Sequence, residues 1–366
     1  MEFRSYRSVA MQSLEIGAAP LSRDTFPVWA GHDDRMKFLL GYAVMAPSRH
    51  NAQPWMFEIE GDEVRLYADR SRSLPICDPD GRELVMGCGA ALQNLRLAAA
   101  HFGYATSCEI VARPCDDLLA RVRLEERQPA TLGIEELFAA IPHRRTNRLP
   151  FEIREPPPGL VAGLCREAGA EGASLRPVED PQRVAVAELI AEGDRLQWGS
   201  ARFRSEVAEW TRVNTTRRGD GMPGYSSGMS DAASLFLSLV LRLADSGPAE
   251  ASRDRRRALG SPVLLVLSTR GDETRDWLAA GEALQRILLD ATASGLYASY
   301  FNQPIETAGL CARLREVLGE TGHPQVMFRL GYGPEMRPPP RRPVQAVLRA
   351  VAQTPAPRQL LATTRR

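Results

Sequence analysis

The chain has 366 residues, of which 44% are hydrophobic and 25% are charged, so it is long enough for one large domain or two ordinary ones. Its 46 basic and 45 acidic residues leave a formal charge of +1, which excludes the basic surface of a general nucleic-acid-binding protein. The six cysteines lack the spacing of a zinc site or a redox pair, and no apolar signal region opens the chain. The longest apolar run, 232–241, is too short to cross a bilayer, which takes ~20 residues. We therefore expect a cytoplasmic protein with no membrane partner.

The first part of the chain shows one cycle of helix and strand patterns. An arm over 1–31 has no clear period, and the apolar spacing that follows Asp33 and Asp34 predicts a helix that stops before Pro47. Alternating residues on both sides of Gly61 predict a β-hairpin, and a long run rich in Ala and Leu predicts a buried helix. The predicted elements are a first helix over 33–44, two hairpin strands over 55–59 and 64–67, a long helix over 82–102 and a strand over 107–111.

A second cycle of patterns begins after residue 127. It contains a glycine-rich loop over 213–230, and a Pro- and Arg-rich extension starts at Arg337. The predicted helices are 157–168, 181–196, 200–212 and 273–294, and the predicted strands are 262–268 and 326–331. We therefore divide the chain into four parts. They are an arm (1–31), a first half (32–127), a second half (138–336) that carries a lid-like insertion at 198–230, and an extension (337–366).

The two long helices have similar sequences. When 89–107 is aligned with 281–299, an offset of 192, eight of nineteen residues are identical. Their shared Ala and Leu content explains part of this similarity, but a shared glutamine (Gln93 and Gln285) and a shared closing glycine favour an internal duplication. The pattern predicts an α+β fold of two related halves, each with a mainly antiparallel sheet packed on long central helices.

Three segments combine polar side chains with a rigid backbone. In the first, 46–55, two prolines fix an extended path, while side chains such as Ser48 and His50 offer short donors and acceptors that suit the edge of a planar heterocycle. In the second, 143–148, three guanidiniums lie within five residues, which is costly without an anion. The third, 341–344, follows a proline-rich run. Alone, each has an ordinary explanation: a helix stop before a strand, a solvated surface run, and a chain tail.

Together, the three segments resemble the FMN-binding nitroreductase family. The most specific mark is the string Ala-Pro-Ser-x-x-Asn-x-Gln-Pro-Trp over 46–55, and Arg-Arg-Thr-x-Arg over 144–148 is similar to the signature that opens the family's sequences. The stretch that starts at Gly295 and continues to 303–306 resembles the loop that passes beside the flavin ring. Arg342, which precedes a proline, resembles the family's C-terminal phosphate-binding arginine.

The order of these motifs departs from that of ordinary nitroreductases, in which the arginine signature comes first and two chains form a dimer with two flavins. Here the loop over 46–55 precedes the arginine signature, and this order closely resembles the Acg-type branch, in which one chain imitates the dimer. At the offset of 192 the second copy of the loop falls on 238–247, whose sequence lacks the motif. The resemblance therefore implies an intrachain pseudo-dimer, a monomeric protein and one flavin site instead of two.

The resemblance also implies roles for individual residues. Arg144 and Arg342 are expected at the FMN phosphate with Arg341 nearby, Thr146 at the phosphate or ribityl groups, and Arg148 at the N1/C2=O edge, where a cation stabilises the reduced ring. Because flavin chemistry needs no side-chain nucleophile, we name no catalytic residue. The residues expected to bind FMN are Pro47, Ser48, Arg49, His50, Asn51, Arg144, Arg145, Thr146, Arg148, Tyr300, Phe301, Asn302, Gln303, Arg341 and Arg342.

Two classes of function remain open. One is an FMN-dependent oxidoreductase that passes hydride from NAD(P)H through the flavin to a nitro, quinone or enone compound. The other is an FMN-binding or FMN-sequestering protein with a lid over the flavin and little or no reductase activity. The insertion over 198–230 bears on this choice, because its apolar side chains lie over the ring if it is a lid and on the surface if it is a helical hairpin. These side chains are Trp210, Met222, Pro223 and Tyr225.

Overall fold

The structure is a computed structural model that describes residues 26–27, 29–113, 116–127 and 132–350. The predicted arm over 1–31 lies almost entirely outside the described residues, and so does the predicted extension beyond 350. Two four-stranded antiparallel sheets and the helices packed on them make up most of the described chain.

The first sheet belongs to a unit that contains the first half of the chain. Its elements are α1 (His32–Ala43), β1 (Trp55–Glu60), β2 (Glu63–Ala68), α2 (Arg82–His101), β3 (Tyr104–Ile110) and β4 (Leu118–Arg127). The strands are antiparallel in the order β1-β2-β4-β3, and Trp55 pairs with Ala68, so the predicted hairpin is confirmed. Strand β4 was not predicted, because Arg121 and Arg123, on either side of the buried Val122, give this segment the composition of a charged loop.

The second sheet belongs to the rest of the described chain. Its elements are α3 (Leu132–Ala140), α4 (Leu160–Ala170), β5 (Ser174–Pro177), α5 (Gln182–Gly199), α6 (Ala201–Trp210), β6 (Thr211–Arg212), β7 (Met222–Pro223), α7 (Asp231–Leu243), α8 (Gly247–Leu259), β8 (Val263–Thr269), α9 (Thr274–Ala293), β9 (Tyr297–Tyr300), α10 (Gln303–Glu306), α11 (Leu310–Leu318) and β10 (His323–Gly331). The strand order is β5-β8-β10-β9, with every pair antiparallel.

Strand β8 shows why this sheet sits at the centre of its unit. Leu265 and Leu267 pack with residues of α4 and α9 on one face, while Leu264 and Val266 pack with residues of α5 and α11 on the other. Since both faces of the strand are buried, its sequence is a continuous apolar run, and this run is why the strand was predicted correctly over 262–268.

The two long helices α2 and α9 cross where Gly89 meets Gly281. A Cβ atom on either glycine would overlap backbone of the other helix, so only glycine permits this close approach. These two glycines are equivalent at the offset of 192, and contact between equivalent residues is what an approximate twofold axis produces. Gln285 donates to Asn94 Oδ1 at 2.6 Å beside the crossing. The predicted fold is therefore confirmed as α+β, with antiparallel sheets packed on long central helices.

The predicted insertion over 198–230 contains more regular structure than a helix pair and a loop. Thr211 pairs with Met222 in the short parallel ladder of β6 and β7, and a 3-10 turn follows at Gly224–Ser227. Helices α7 and α8, which were not predicted, continue the segment; the Ser230 hydroxyl caps the first of them by accepting from Ala233 N. No helix in the described part of the chain is long and apolar enough to cross a membrane.

Candidate cofactor site

A cavity of about 440 Å³ is lined by residues of both units. Its volume lies within the range of ordinary small-molecule sites. Its walls come from the loop that follows α1, the start of the second half, the connection from β9 to α10, and the insertion. Of the residues predicted to bind FMN, all except Arg342 line the cavity: Pro47, Ser48, Arg49, His50, Asn51, Arg144, Arg145, Thr146, Arg148, Tyr300, Phe301, Asn302, Gln303 and Arg341.

The loop after α1 has an unusual backbone. His50, Asn51 and Gln53 have φ angles of 50°, 56° and 54°, in the left-handed region that residues other than glycine seldom adopt. Such strain persists only when surrounding contacts fix it. Here Gln53 N donates to the Ser48 Oγ at 2.8 Å, and the Gln53 side-chain amide donates to Gly219 O at 2.7 Å. The loop is thus anchored to the insertion.

The predicted ring contacts of this loop fall into two groups. Asn51 uses its side chain on the protein itself: Nδ2 donates to Gly221 O at 3.0 Å and Pro340 O at 2.9 Å, and Oδ1 accepts from Arg341. His50 presents a neutral ring to the cavity, because burial holds its pKa well below the ordinary value, and the charges of Arg49 and Arg148 lower it further.

The arginine segment is positioned by strand β9. Thr146 and Ala298 form a parallel bridge, and Asn147 N donates to Ala298 O at 2.9 Å. The segment therefore runs beside Tyr300, which also lines the cavity. This pairing explains how a run that resembles a solvated surface in sequence becomes buried.

Among the arginines that line the cavity and are buried or partly buried, four have no carboxylate ion-pair partner in the described chain. Arg144 is buried, and its Nε has no hydrogen-bond partner there. Arg145 donates to Arg144 O at 2.8 Å, Arg148 donates to Met222 Sδ at 3.7 Å, and Arg341 donates to Met45 O at 2.9 Å.

Burial lowers the pKa of each of these arginines, because none has a carboxylate to compensate the loss of water. The pKa of Arg145 falls to about 10 through burial and the charge of Arg144. The pKa values of Arg144 and Arg148 are lowered by burial, and that of Arg341 lies well below the ordinary value through burial and the charges of Arg144 and Arg145. We call these four residues the arginine cluster. A bound anion would remove the electrostatic cost.

Arg342 does not line the cavity and so does not belong to this cluster, and its assignment to a phosphate stays a prediction. Its guanidinium donates to Gln53 O at 2.9 Å and Ala346 O at 2.7 Å, and it lies 3.6 Å from a carboxylate oxygen of Asp69. Successive side chains of an extended segment point to opposite sides, so only one of two adjacent arginines can face the cavity. Arg341 is that residue.

Arg49 lines the cavity as predicted for a cofactor-binding residue, and its guanidinium is also engaged within the protein. Its guanidinium forms a bidentate ion pair with Glu306, with one contact of 2.9 Å, and lies 3.4 Å from Glu83. Asn302 Nδ2 donates to Glu83 Oε1 at 2.6 Å. We call Arg49, Glu83 and Glu306 the carboxylate cluster; it joins the loop of the first half to α10 of the second. Glu306 lies in the stretch over 303–306 that resembles the flavin loop, and Glu83 lies in the predicted helix over 82–102, yet neither was assigned a role.

The two carboxyls of this cluster have opposite pKa shifts. Burial raises the pKa of Glu306 to about 8, with Arg49 opposing the rise and the charge of Glu83 adding to it. Burial also acts to raise the pKa of Glu83, but Arg49 and Arg82 outweigh it, so this pKa is lowered. Glu306 therefore takes up a proton more readily than Glu83 does.

The residues at the end of β9 mainly hold the wall in place. Phe301 is fully buried, and its N donates to Met327 O at 2.8 Å. Asn302 Oδ1 accepts from Met327 N at 3.0 Å, which leaves its side chain committed on both ends. Gln303 and Tyr300 are the members of this group with atoms left for a ligand, since Gln303 Oε1 is buried without a partner among the described residues.

The insertion supplies apolar side chains to the cavity. Met222, Pro223 and Tyr225 line it as a lid predicts, and Tyr225 Oη donates to Pro338 O at 2.9 Å. Trp210 does not line it; the Arg72 guanidinium lies 5.2 Å from its ring centroid instead. Further cavity residues of this region that the sequence analysis did not assign are Trp198, Phe203, Val207, Leu237 and Leu241.

The fold and the site define a class of protein: an α+β chain of two units, each built on a four-stranded antiparallel sheet, that together line one cavity rich in arginine. No family model matches the chain. Acg of Mycobacterium tuberculosis H37Rv, which bears the name of an NAD(P)H nitroreductase, is 34% identical over 331 residues, covering 87% of this chain and 97% of the relative. A second protein of that strain, also named as an NAD(P)H nitroreductase, is 30% identical over 322 residues and covers 86% and 91% of the two chains. The chain belongs to the Acg branch of the NAD(P)H nitroreductase family.

Solved structures of similar proteins are more distant in sequence. The FMN- and NADPH-dependent nitroreductase NfnB of a Sphingopyxis strain is 21% identical, covers 59% of this chain and 99% of its own, and has a TM-score of 0.40. A nitroreductase-type protein of Anabaena variabilis is 10% identical, covers 89% and 91%, and has a TM-score of 0.45.

Proposed function

We propose that the cavity binds one FMN and that the chain is an NAD(P)H-dependent oxidoreductase, which reduces nitro, quinone or enone compounds through the flavin. The observation that carries this proposal is the arginine cluster. Several buried cations without a carboxylate are costly, and an anionic ligand offsets that cost. In a family whose members bear the name NAD(P)H nitroreductase, the phosphate of a flavin is the anion that fits best.

The residues at the arginine end of the cavity fit a phosphomonoester. Arg144, Arg145 and Arg341 offer guanidinium groups that form charge-assisted hydrogen bonds with phosphate oxygens. Arg144 Nε is a buried donor with no protein partner in the described chain, so a ligand oxygen would satisfy it. The Thr146 hydroxyl is a further donor for a phosphate or ribityl oxygen.

The remaining walls fit the flavin ring. When bound, FMN supplies the two-electron chemistry, so the chain has only to bind, orient and shield the ring. Arg148 offers a cation for the N1/C2=O edge, and the loop from Pro47 to Asn51 presents one wall of the cavity from the first half. Apolar groups of the insertion exclude water from another side.

A flavin-holding protein without turnover is the second candidate, and the insertion favours it. Trp198, Phe203 and Val207 line the cavity together with Met222 and Tyr225, so a large apolar cover lies where a substrate would enter. A cover that stays closed stores the flavin, whereas a cover that opens admits NAD(P)H and the acceptor.

The test has two stages. The purified protein should be yellow and should release FMN and not FAD on denaturation, with about one flavin per chain. Anaerobic mixing with NADH or NADPH should then bleach the visible absorbance of the flavin, and addition of a nitro compound, a quinone or an enone should restore it. A colourless protein that takes up no FMN contradicts the proposal, while bound FMN that neither nucleotide bleaches selects the second candidate.

A further inference from the structure

The cavity has a second polar region, far in sequence from the arginine cluster, where α5 and α8 approach α10. Asp194 of α5, Asp254 of α8 and Gln303 of α10 all line the cavity there. Gly193 permits the approach, because a Cβ at this position would lie 2.7 Å from Gln303 Cβ. The region therefore lies beside Gln303, in the stretch that resembles the loop passing beside the flavin ring.

Hydrogen bonds around Gln303 leave two acceptors unused. Its Nε2 donates to Asp194 Oδ1 at 2.9 Å and to Asp254 Oδ2 at 3.4 Å, so both amide hydrogens point at carboxylates. This fixes the orientation of the amide, since a flipped Gln303 would turn its oxygen toward two acids. Gln303 Oε1 and Asp194 Oδ2 are both buried without a partner in the described residues. The missing partner must therefore be a donor.

The two acids of this region differ in how far nearby cations balance their charges. Asp254 forms ion pairs with Arg257 at 3.0 Å and Arg253 at 3.5 Å. Asp194 is only 1% exposed, and no cation of the described chain forms an ion pair with it. Burial, with the charge of Asp254 adding to it, raises the pKa of Asp194 to about 7. Its surroundings thus supply one hydrogen-bond donor, from Gln303, and no ion-paired cation among the described residues, which is less than a buried carboxylate requires.

We infer that Asp194 and Gln303 form a subsite for a primary carboxamide of the ligand that lies against the flavin. An amide NH2 group has two hydrogens, which match the two unused acceptors. The subsite rests on the proposed function, because it presumes that FMN occupies the rest of the cavity. It favours an amide over a carboxylate of the same shape, since a second carboxylate beside Asp194 is repelled.

One arrangement competes with this subsite. If Asp194 keeps its own proton and donates it to Gln303 Oε1, the two unused acceptors satisfy each other and no ligand donor is needed. The arrangements differ in ligand preference. The closed Asp194–Gln303 pair predicts no preference between an amide and an acid, whereas the subsite predicts a strong one.

Nicotinamide and nicotinate are suitable probes, because they differ only in the amide or carboxylate group. The FMN-loaded protein is titrated with each, and binding is followed by the change in flavin visible absorbance and by calorimetry. We expect nicotinamide to bind at least about tenfold more tightly than nicotinate. Asp194→Asn should reduce the ratio to within about threefold, because the new side chain donates to Gln303 Oε1 and removes the repelling charge.

A matched control is Glu192→Gln, on the same helix, which removes an exposed carboxylate paired with Arg313 at 2.7 Å. It should keep the full preference, and both variants should bind FMN as the parent does. Equal affinities in the parent, or an undiminished preference in Asp194→Asn, overturns the subsite while leaving FMN binding intact. A protein that takes up no FMN contradicts the proposed function, and the inference falls with it.

Discussion

The arginine cluster and the carboxylate cluster lie in one cavity, yet their charges are balanced in opposite ways. The arginine cluster contains four cations and no carboxylate partner within the described chain. The carboxylate cluster contains two acids that share Arg49, and Asn302 and Gln197 satisfy further oxygens. Charges that are paired inside the protein hold its parts together, whereas charges that lack a partner indicate where a ligand binds.

The largest effect that this comparison predicts is loss of stability when Arg49 is replaced. Arg49→Met leaves Glu83 and Glu306 buried without their shared cation and should lower the free energy of unfolding of the apoprotein by about 3 kcal/mol at neutral pH. Urea denaturation followed by circular dichroism measures the change. An unchanged midpoint would show that the ion pair contributes nothing to joining the halves.

The second prediction concerns FMN affinity. Arg144→Ala combined with Arg341→Ala removes two charge-assisted contacts to the phosphate, so binding should weaken by at least about a hundredfold while the apoprotein stays folded. Fluorescence titration with FMN measures the affinity. Arg217→Ala, which removes an exposed arginine, is the control and should bind FMN normally. Normal affinity in the double variant would place the phosphate elsewhere.

A smaller effect of opposite sign to that of Arg49→Met is expected for Arg144→Met. This change removes a buried cation that has no carboxylate partner in the described chain, so the apoprotein should become more stable by about 1 kcal/mol even as FMN affinity falls. The same denaturation series measures it. If Arg144→Met destabilises the apoprotein as much as Arg49→Met does, the two clusters are balanced alike and the comparison fails.

The smallest effect is a trend with pH. Because the pKa of Glu306 is raised from 4.5 to about 8 on folding, its stabilising contribution is complete below pH 4.5 and is lost as the pH rises through 8. The free energy of unfolding of the parent minus that of Glu306→Gln should therefore fall across this window. Denaturation of both proteins at several pH values measures the difference, and a difference that rises with pH would contradict the raised pKa.

Local patterns predicted much of the fold and part of the site. The long helices and strand β8 were found because their apolar runs are nearly continuous, and the segments at 46–55 and 144–148 were found because unusual residues are concentrated there. Strand β4 and helix α8 were missed because charged residues obscure their period, whereas the apolar run of helix α7 was considered only as a membrane span.

The rest of the site depends on contacts between residues far apart in sequence. Arg341 and Arg342 are adjacent and chemically identical, so only the tertiary packing decides which faces the cavity. Arg49 and Glu306 are 257 positions apart, and neither one indicates the other. Asp194 lies in a helix with an ordinary amphipathic sequence, and its burial against Gln303 follows from the approach at Gly193.

The central claim is that one chain encloses one flavin between its own halves. In an ordinary nitroreductase two chains supply such a site, whereas here the loop at 46–55 and the segment at 144–148 meet in one cavity of a single chain. Light scattering during an FMN titration tests this claim directly. We predict a chain of 40.3 kDa that binds one FMN and stays monomeric throughout the titration. A dimer that dissociates only when FMN is removed, with each flavin touched by two chains, would contradict it.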